Sequence, residues 1–191
     1  MIDIFYRYDP DNPESEREPA TATEARELLE VGNREFADVA GKIDPAAGAQ
    51  RVIPVSAADL GLDHGTKAVH QPFAIVVGCA DARVPTELIF GQGTNDLFVL
   101  RVAGNVLGAE VLGSIDYGLD HLAGSVRLVV ALGHMGCGAV EAATNAFLDP
   151  ASYLALASEH HLRTIVNHVL PAVRLADEAL VIKHGRAVRD K

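Results

Sequence analysis

The sequence predicts an α/β fold with a mainly parallel central β-sheet flanked by helices and preceded by an N-terminal helical arm. Three largely apolar runs, of which the first is continuous, predict buried strands at residues 73–77, 97–102 and 126–132. Helical patterns lie between and after these runs. Because strands that alternate with helices require right-handed crossovers, the strands are expected to be parallel.

The N-terminal part is predicted to consist of an acidic arm over residues 1–20, followed by a single α/β domain over residues 21–191. Residues 9–19 are acidic and contain three prolines, a composition typical of an extended lead-in. A helix is predicted to begin near Thr21, because Thr21 and Glu24 have the spacing of a capping box. Apolar residues then recur near one helical face: Leu28, Leu29, Phe36 and Val39.

The remaining elements follow from local signals. Residues 41–70 carry scattered Gly and Pro without a sustained period, which predicts a loop with short regular pieces. A short helix is predicted over 85–90, with Pro at its start, and a longer one over 111–122. Further helices are expected after Gly138 and after Ser152.

Composition and charge limit the functions that the chain could have. Lys and Arg total 16 against 26 Asp and Glu, a formal charge of −10. An acidic chain without a dense basic cluster argues against binding to nucleic acid or to an anionic membrane. No stretch is long and apolar enough to span a bilayer, and the N-terminus lacks the apolar region of a signal peptide. We therefore expect a cytoplasmic protein, in which thiols stay reduced.

Both cysteines follow predicted strands and have polar neighbours. Residues 79–83 (CADAR) follow the first apolar run, and residues 134–137 (HMGC) follow the third. Since the carboxyl ends of parallel strands meet at one edge of a sheet, Cys79, His134 and Cys137 are expected to converge. Two thiolates and one imidazole suit a zinc ion that keeps its fourth position open. The alternatives are a disulfide or two inert buried thiols.

These two segments resemble the zinc motifs of the beta-class carbonic anhydrases, Cys-x-Asp-x-Arg and, further along the chain, His-x-x-Cys. The resemblance extends over residues 28–143, with a looser stretch between 41 and 70. Further segments read like the family in the same order: 32–36, 71–72, 84–85, 92–93, 96–98, 101–105 and 133–140. An ordered set of this kind is far more specific than either zinc motif alone.

The resemblance implies an enzyme that hydrates carbon dioxide to bicarbonate and a proton, with one Zn²⁺ per chain on Cys79, His134 and Cys137. It also implies catalytic roles for Asp81 and Arg83. Asp81, kept ionised by Arg83, would accept the proton of the attacking hydroxide and orient it. In the closed, inactive form of the family, Asp81 itself becomes the fourth zinc ligand. The structural alternative for the pair is a surface ion pair worth about 0–1 kcal/mol.

Four further positions match residues that line the family's narrow substrate cleft at a subunit boundary: Gln71, Phe98, Ala103 and Tyr117. Without the resemblance, Phe98 and Tyr117 fit an ordinary core equally well. The family likeness further implies carbon dioxide and bicarbonate as the small-molecule partners, and a homodimer or tetramer as the assembly.

The chain departs from the family pattern in several places. Ala80 and Ala82 stand where the family usually has Ser, and residues 51–55 are an addition. The family closes with a further strand, for which residues 179–183 are a poor substitute, so either the sheet lacks an edge strand or the chain is shortened. Two rival functions stay open: hydrolysis of carbonyl sulfide or carbon disulfide at the same zinc site, and a zinc-binding homologue without catalysis.

Overall fold

The structure is a computed structural model that describes residues 2–8, 18–41, 49–56, 59, 67, 69–156 and 160–187. Its strands are β1 (Ile2–Tyr8), β2 (Ala49–Val55), β3 (Ala74–Gly78), β4 (Leu97–Arg101) and β5 (Leu128–Leu132). Its helices are α1 (Ala22–Gly41), α2 (Thr86–Phe90), α3 (Ala109–His121), α4 (Gly138–Leu148), α5 (Pro150–Ala155) and α6 (His160–His184). A short 3₁₀ segment, Ala103–Asn105, follows β4.

The larger sheet has three parallel strands in the order β4-β3-β5. Every residue of β3 is buried, as its continuous apolar sequence requires. Helices α1 and α2 cover one face of the sheet, where the core residues are Ala25, Leu29, Phe73, Ala74, Val76, Ile89 and Phe90. The predicted α/β class, the parallel sheet and all three predicted strands are therefore confirmed.

Helix α1 begins at the predicted capping box. The Glu24 backbone N–H donates to Oγ1 of Thr21 at 3.2 Å, and the Thr21 N–H donates to Oε2 of Glu24 at 3.3 Å. The helix buries Ala25 and Leu29 against the sheet of its own chain. The apolar surface of α1 is thus largely covered within the chain. It therefore does not by itself indicate a neighbouring subunit.

The opposite face of the sheet is covered by α3. A Cβ at Gly118 would lie 2.7 Å from Cδ1 of Ile75, so glycine permits the close approach of this helix to β3. On β5, Val129 lies in register with Ile75 but is 47% exposed. Helix α3 therefore covers this face only in part.

The C-terminal helices form a second core with the residues that follow β4. Its buried members are Val106, Ala143, Ala146, Val166 and Val169. Helix α6 continues to His184 and includes residues 179–183, so this segment is helical. Within the described residues no strand follows β5, and no helix there is long and apolar enough to cross a bilayer.

The N-terminal region differs from the sequence-based expectation. Residues 2–8 form a strand, β1, which pairs in parallel with β2 from the predicted loop. Residue 1 and residues 9–17 of the predicted arm lie outside the described residues, and the division into arm and domain stays a prediction. Strand β2 is anchored by the buried Arg51, whose guanidinium donates at 2.6 Å to the carbonyl oxygens of Gly32 in α1 and Leu88 in α2.

Candidate metal centre

Three side chains converge at the carboxyl end of the larger sheet. Cys79 directly follows β3, His134 follows β5, and Cys137 precedes the first residue of α4. One potential ligand atom from each residue lies within 4.8 Å of the other two. Both sulfurs are buried and unbonded to each other, with their Sγ atoms 3.9 Å apart. The geometry thus favours a metal site over the disulfide alternative.

The donor set and its spacing fit a tetrahedral ion such as zinc. Two sulfurs at about 2.3 Å from such an ion lie about 3.8 Å apart, close to the observed separation. Nδ1 of His134 lies 3.1 Å from the carbonyl oxygen of Met135, which suits donation of its proton and leaves the lone pair on Nε2. Nε2 is buried without a hydrogen-bond partner. A buried acceptor without a partner is costly unless it binds something, so this atom suits a ligand role.

The surroundings of Cys79 favour its thiolate. Burial raises the pKa of this thiol, but the backbone N–H groups of Asp81 and Gly104 and the neighbouring His134 and Cys137 side chains outweigh burial and lower the pKa to about 7. The N–H of Gly104 lies 3.4 Å from the Cys79 sulfur. The interaction with Cys79 in turn raises the pKa of His134. Such a thiol is readily available to a metal ion.

Cys137 occupies the N-cap position of α4, an 11-residue helix. Its side chain makes no capping hydrogen bond, so the sulfur is not committed to the helix backbone. Its sulfur is therefore available to the three-residue cluster.

Arg83 holds the Asp81 carboxylate at three points. The backbone N–H and Nε of Arg83 each donate to Oδ1 at 2.9 Å, and Nη2 donates to Oδ2 at 2.6 Å. These hydrogen bonds hold the pKa of Asp81 well below its usual range. Nη2 of Arg83 also donates to the carbonyl oxygen of Gly136 at 3.0 Å. The arginine thus links the loop of Cys79 to the loop of Cys137.

Asp81 lies beside the three-residue cluster without joining it. Its Oδ2 is 3.9 Å from Nδ1 of His134, whereas the close ligand atoms belong to Cys79, His134 and Cys137. This arrangement corresponds to an arginine-bound carboxylate. The closed form, with Asp81 as a ligand, stays a prediction.

Two residues that sequence reasoning did not single out position the ligand loops. Arg101, at the end of β4, donates from Nε to the carbonyl oxygen of Cys79 at 2.9 Å and from Nη2 to that of Asp81 at 2.5 Å. Asn105 donates from Nδ2 to the carbonyl oxygen of Leu132 at 2.9 Å and to a β3 carbonyl at 3.4 Å. Asn105 therefore spans the ends of both strands that precede metal ligands.

The sequence held one signal for this role. Asn105 has φ of 55° and Gly104 has φ of 65°, and Gly followed by Asn directly after a strand is typical of such left-handed backbone. At Gly104 a Cβ would also meet that of Ala139 at 2.9 Å. The roles themselves depend on backbone carbonyls, which no sequence motif displays.

The predicted cleft residues occupy two neighbouring regions. Phe98 on β4 and Tyr117 on α3 have ring centroids 6.3 Å apart, and His70 and His121 extend this row of rings at its two ends. Gln71 is exposed, and its N–H donates to Oδ1 of Asn95 at 3.1 Å. Ala103 begins the turn whose Gly104 contacts the Cys79 sulfur. Their role in binding substrate stays a prediction.

Comparison with known proteins gives consistent matches. The sequence model of a family described as carbonic anhydrase matches residues 74–190. Carbonic anhydrase 2 of Mycobacterium tuberculosis is 44% identical over 119 residues, which cover 60% of this chain and 53% of that protein. A carbonic anhydrase of Mycolicibacterium smegmatis is 38% identical over 156 residues, or 81% of this chain and 66% of that protein. The match thus spans about half of the length of the first relative and about two-thirds of the length of the second.

A solved structure, described as the beta-carbonic anhydrase CcaA, is also similar to this chain. It has a TM-score of 0.46 and 24% sequence identity, and the match covers 65% of this chain and 55% of that one.

Proposed function

Because the chain belongs to the beta-class carbonic anhydrase family, we propose that it is a zinc-dependent carbonic anhydrase. The reaction is the reversible hydration of carbon dioxide to bicarbonate and a proton. The observation that carries this proposal is the convergence of two sulfurs and one imidazole nitrogen within 4.8 Å beside an arginine-bound carboxylate. The sulfurs and the nitrogen suit zinc, and the carboxylate suits a hydrogen-bond acceptor for the nucleophile.

One zinc ion per chain would be held by Sγ of Cys79, Nε2 of His134 and Sγ of Cys137. When bound there, zinc supplies a hydroxide nucleophile near neutral pH. The protein's contribution is to hold these three donors at the correct spacing. The Gly104 N–H favours the Cys79 thiolate, and the Met135 carbonyl fixes the histidine tautomer.

Asp81 orients the nucleophile. Its carboxylate remains ionised because Arg83 donates to both of its oxygens, and an ionised carboxylate can accept the proton of the attacking hydroxide. Arg83 at the same time draws Asp81 away from the three ligands. Through this restraint the arginine would keep Asp81 from acting as a ligand when a metal ion is bound.

The substrate and assembly proposals rest on the aromatic row and on the exposed surface beside it. Phe98 and Tyr117, with Gln71 and Ala103, would line a small apolar slot, which suits carbon dioxide because this molecule offers little to hydrogen-bond. Tyr117 is 49% exposed, as expected if a second subunit completes the slot. We accordingly propose a homodimer or tetramer, and a cytoplasmic location in which both thiols stay reduced.

The decisive experiment measures carbon dioxide hydration by stopped flow together with the zinc content of the same sample. We expect one zinc per chain and hydration that disappears when a chelator removes the metal. Zinc without hydration, but with hydrolysis of carbonyl sulfide or carbon disulfide, would replace this proposal by the related hydrolase. Zinc with neither activity would indicate a non-catalytic homologue.

A further inference from the structure

Strand β1 is more exposed to solvent than β2, the strand with which it pairs. In the parallel register, Ile4, Tyr6 and Tyr8 lie opposite Arg51, Ile53 and Val55 of β2. The β2 residues are only 7%, 1% and 7% exposed, whereas Ile4, Tyr6 and Tyr8 are 36%, 55% and 54% exposed. One face of the small sheet is therefore covered along β2 and uncovered along β1.

The other face of β1 is open as well. Phe5, in register with Val52 of β2, is 48% exposed, and Val52 itself is 41% exposed. Within the part of the chain that the structure describes, β1 pairs with β2 alone, so its second edge offers unpaired backbone N–H and C=O groups. An isolated pair of strands is marginally stable in water, and an apolar open edge favours the addition of a strand.

We propose that this edge binds the same edge of a second copy of the chain, with the two β1 strands antiparallel across a two-fold axis at Phe5. In that arrangement Asp3 of each copy lies opposite Arg7 of the other. Ile4 lies opposite Tyr6 in the same way, and the two Phe5 residues face each other. Cross-strand pairs of opposite charge and aromatic–aliphatic pairs both stabilise antiparallel strands, and a two-fold contact provides each pair twice.

The placement of the charges selects this partner and this direction. Asp3 and Arg7 stand symmetrically two residues before and two residues after Phe5. A parallel, in-register pair would put Asp3 against Asp3 and Arg7 against Arg7, which is unfavourable. Charged residues on an edge strand usually discourage pairing, but this spacing turns them into a self-complementary pattern.

The face of β1 that carries Tyr6 borders an open cleft beside α2. Tyr6 lines a cleft of about 410 Å³ together with Pro85 and Leu88. A pair of seven-residue strands is small compared with the roughly 800 Å² per partner of a stable interface. We therefore place this contact as one of several in an oligomer, and the test must report on it directly.

Cysteine cross-linking provides that test. Directly opposite residues in an antiparallel pair have Cα atoms about 4.5–5.5 Å apart, a distance that a disulfide spans. Under mild oxidation, Phe5→Cys should therefore form a covalent dimer on a non-reducing gel. Tyr8→Cys is the matched control on the same strand, because two copies of Tyr8 would lie about 20 Å apart. The parent protein controls for the buried Cys79 and Cys137.

Charge reversal then tests the register. In the Phe5→Cys background, Asp3→Arg or Arg7→Asp alone places like charges opposite each other and should lower dimer yield roughly tenfold. The double change Asp3→Arg with Arg7→Asp restores opposite charges and should restore the yield. Equal cross-linking of Phe5→Cys and Tyr8→Cys would overturn the proposal, as would a double variant no better than the single ones. Unchanged zinc content and circular dichroism would show that the variants are folded.

Discussion

The metal-binding end of the larger sheet and the small N-terminal sheet are stabilised in opposite ways. Around the metal ligands, side chains of the same chain bind the nearby backbone carbonyls, as Arg101 and Asn105 do. At the N-terminal sheet, only β2 is covered, through Arg51, while β1 is exposed on both faces. The contrast indicates that one chain suffices to position the candidate ligands, whereas the surface of β1 stays open to another molecule.

The largest effect on the candidate metal site is expected from Cys137→Ser. A serine hydroxyl is a far poorer zinc ligand than a thiolate, so this variant should lose its zinc and its hydration activity together. Metal analysis after dialysis measures the effect. Met135→Leu is the matched control, because Met135 lies in the same loop and is 94% exposed. A full zinc complement in the serine variant would reject the ligand assignment.

The next largest effect is expected from Arg83→Ala. Without the arginine, Asp81 is free to move onto the zinc, so the variant should keep its metal and lose hydration activity by about 10²-fold or more. A crystal structure should then show Asp81 on the zinc. Arg83→Lys keeps the charge but not the paired donors and should restore activity only in part. Parental activity of Arg83→Ala at alkaline pH would leave the pair a structural role alone.

Arg51→Met tests whether the small N-terminal sheet and the candidate metal site depend on each other. This change removes the two hydrogen bonds from Arg51 to the carbonyl oxygens of Gly32 and Leu88, each worth about 1–2 kcal/mol. We expect about 2–4 kcal/mol lower stability in urea unfolding, with unchanged zinc content in the folded protein. Arg51→Lys, which can satisfy one carbonyl, should lose less. Loss of zinc from folded Arg51→Met would contradict the independence of the two regions.

The smallest effect concerns Asp96, which lies near β2. Burial, aided by the charge of Asp59, raises the pKa of Asp96 from 3.8 to about 6 although the Gly93 N–H donates to it. Between these values the folded state binds more protons than the unfolded state, so stability falls as pH rises through this window. Asp96→Asn keeps an acceptor for Gly93 without the charge. It should be about 1–3 kcal/mol more stable than the parent at pH 7 and equal to it near pH 4.

Much of the fold could be predicted because its signals are local. The Thr21–Glu24 capping box and the three apolar runs each act within a few residues, and all appear where expected. Strand β1 was missed for the opposite reason. Its alternation from Ile2 to Tyr8 is short, and its partner β2 begins 47 residues later, at Ala49 opposite Ile2, within a segment that contains several Gly and Pro residues.

In the candidate site, too, some residues could be predicted from the sequence and others could not. Cys79, His134 and Cys137 could be predicted to meet, because residue type and the common edge of parallel strands determine their convergence. Arg101 and Asn105 could not, since their hydrogen bonds reach backbone carbonyls whose positions depend on the packed sheet. The link from Arg83 to the Gly136 carbonyl was missed for this reason as well.

The separation of the two ligand cysteines also has a consequence for folding kinetics. Cys79 and Cys137 are 58 residues apart, and they meet only after β3 and β5 have paired, a non-local step of the kind that slows folding. A metal ion held by both cysteines would therefore bind a structure that is already formed and stabilise it by mass action. Zinc added during refolding should prolong the lifetime of the native state without changing the rate at which that state is reached.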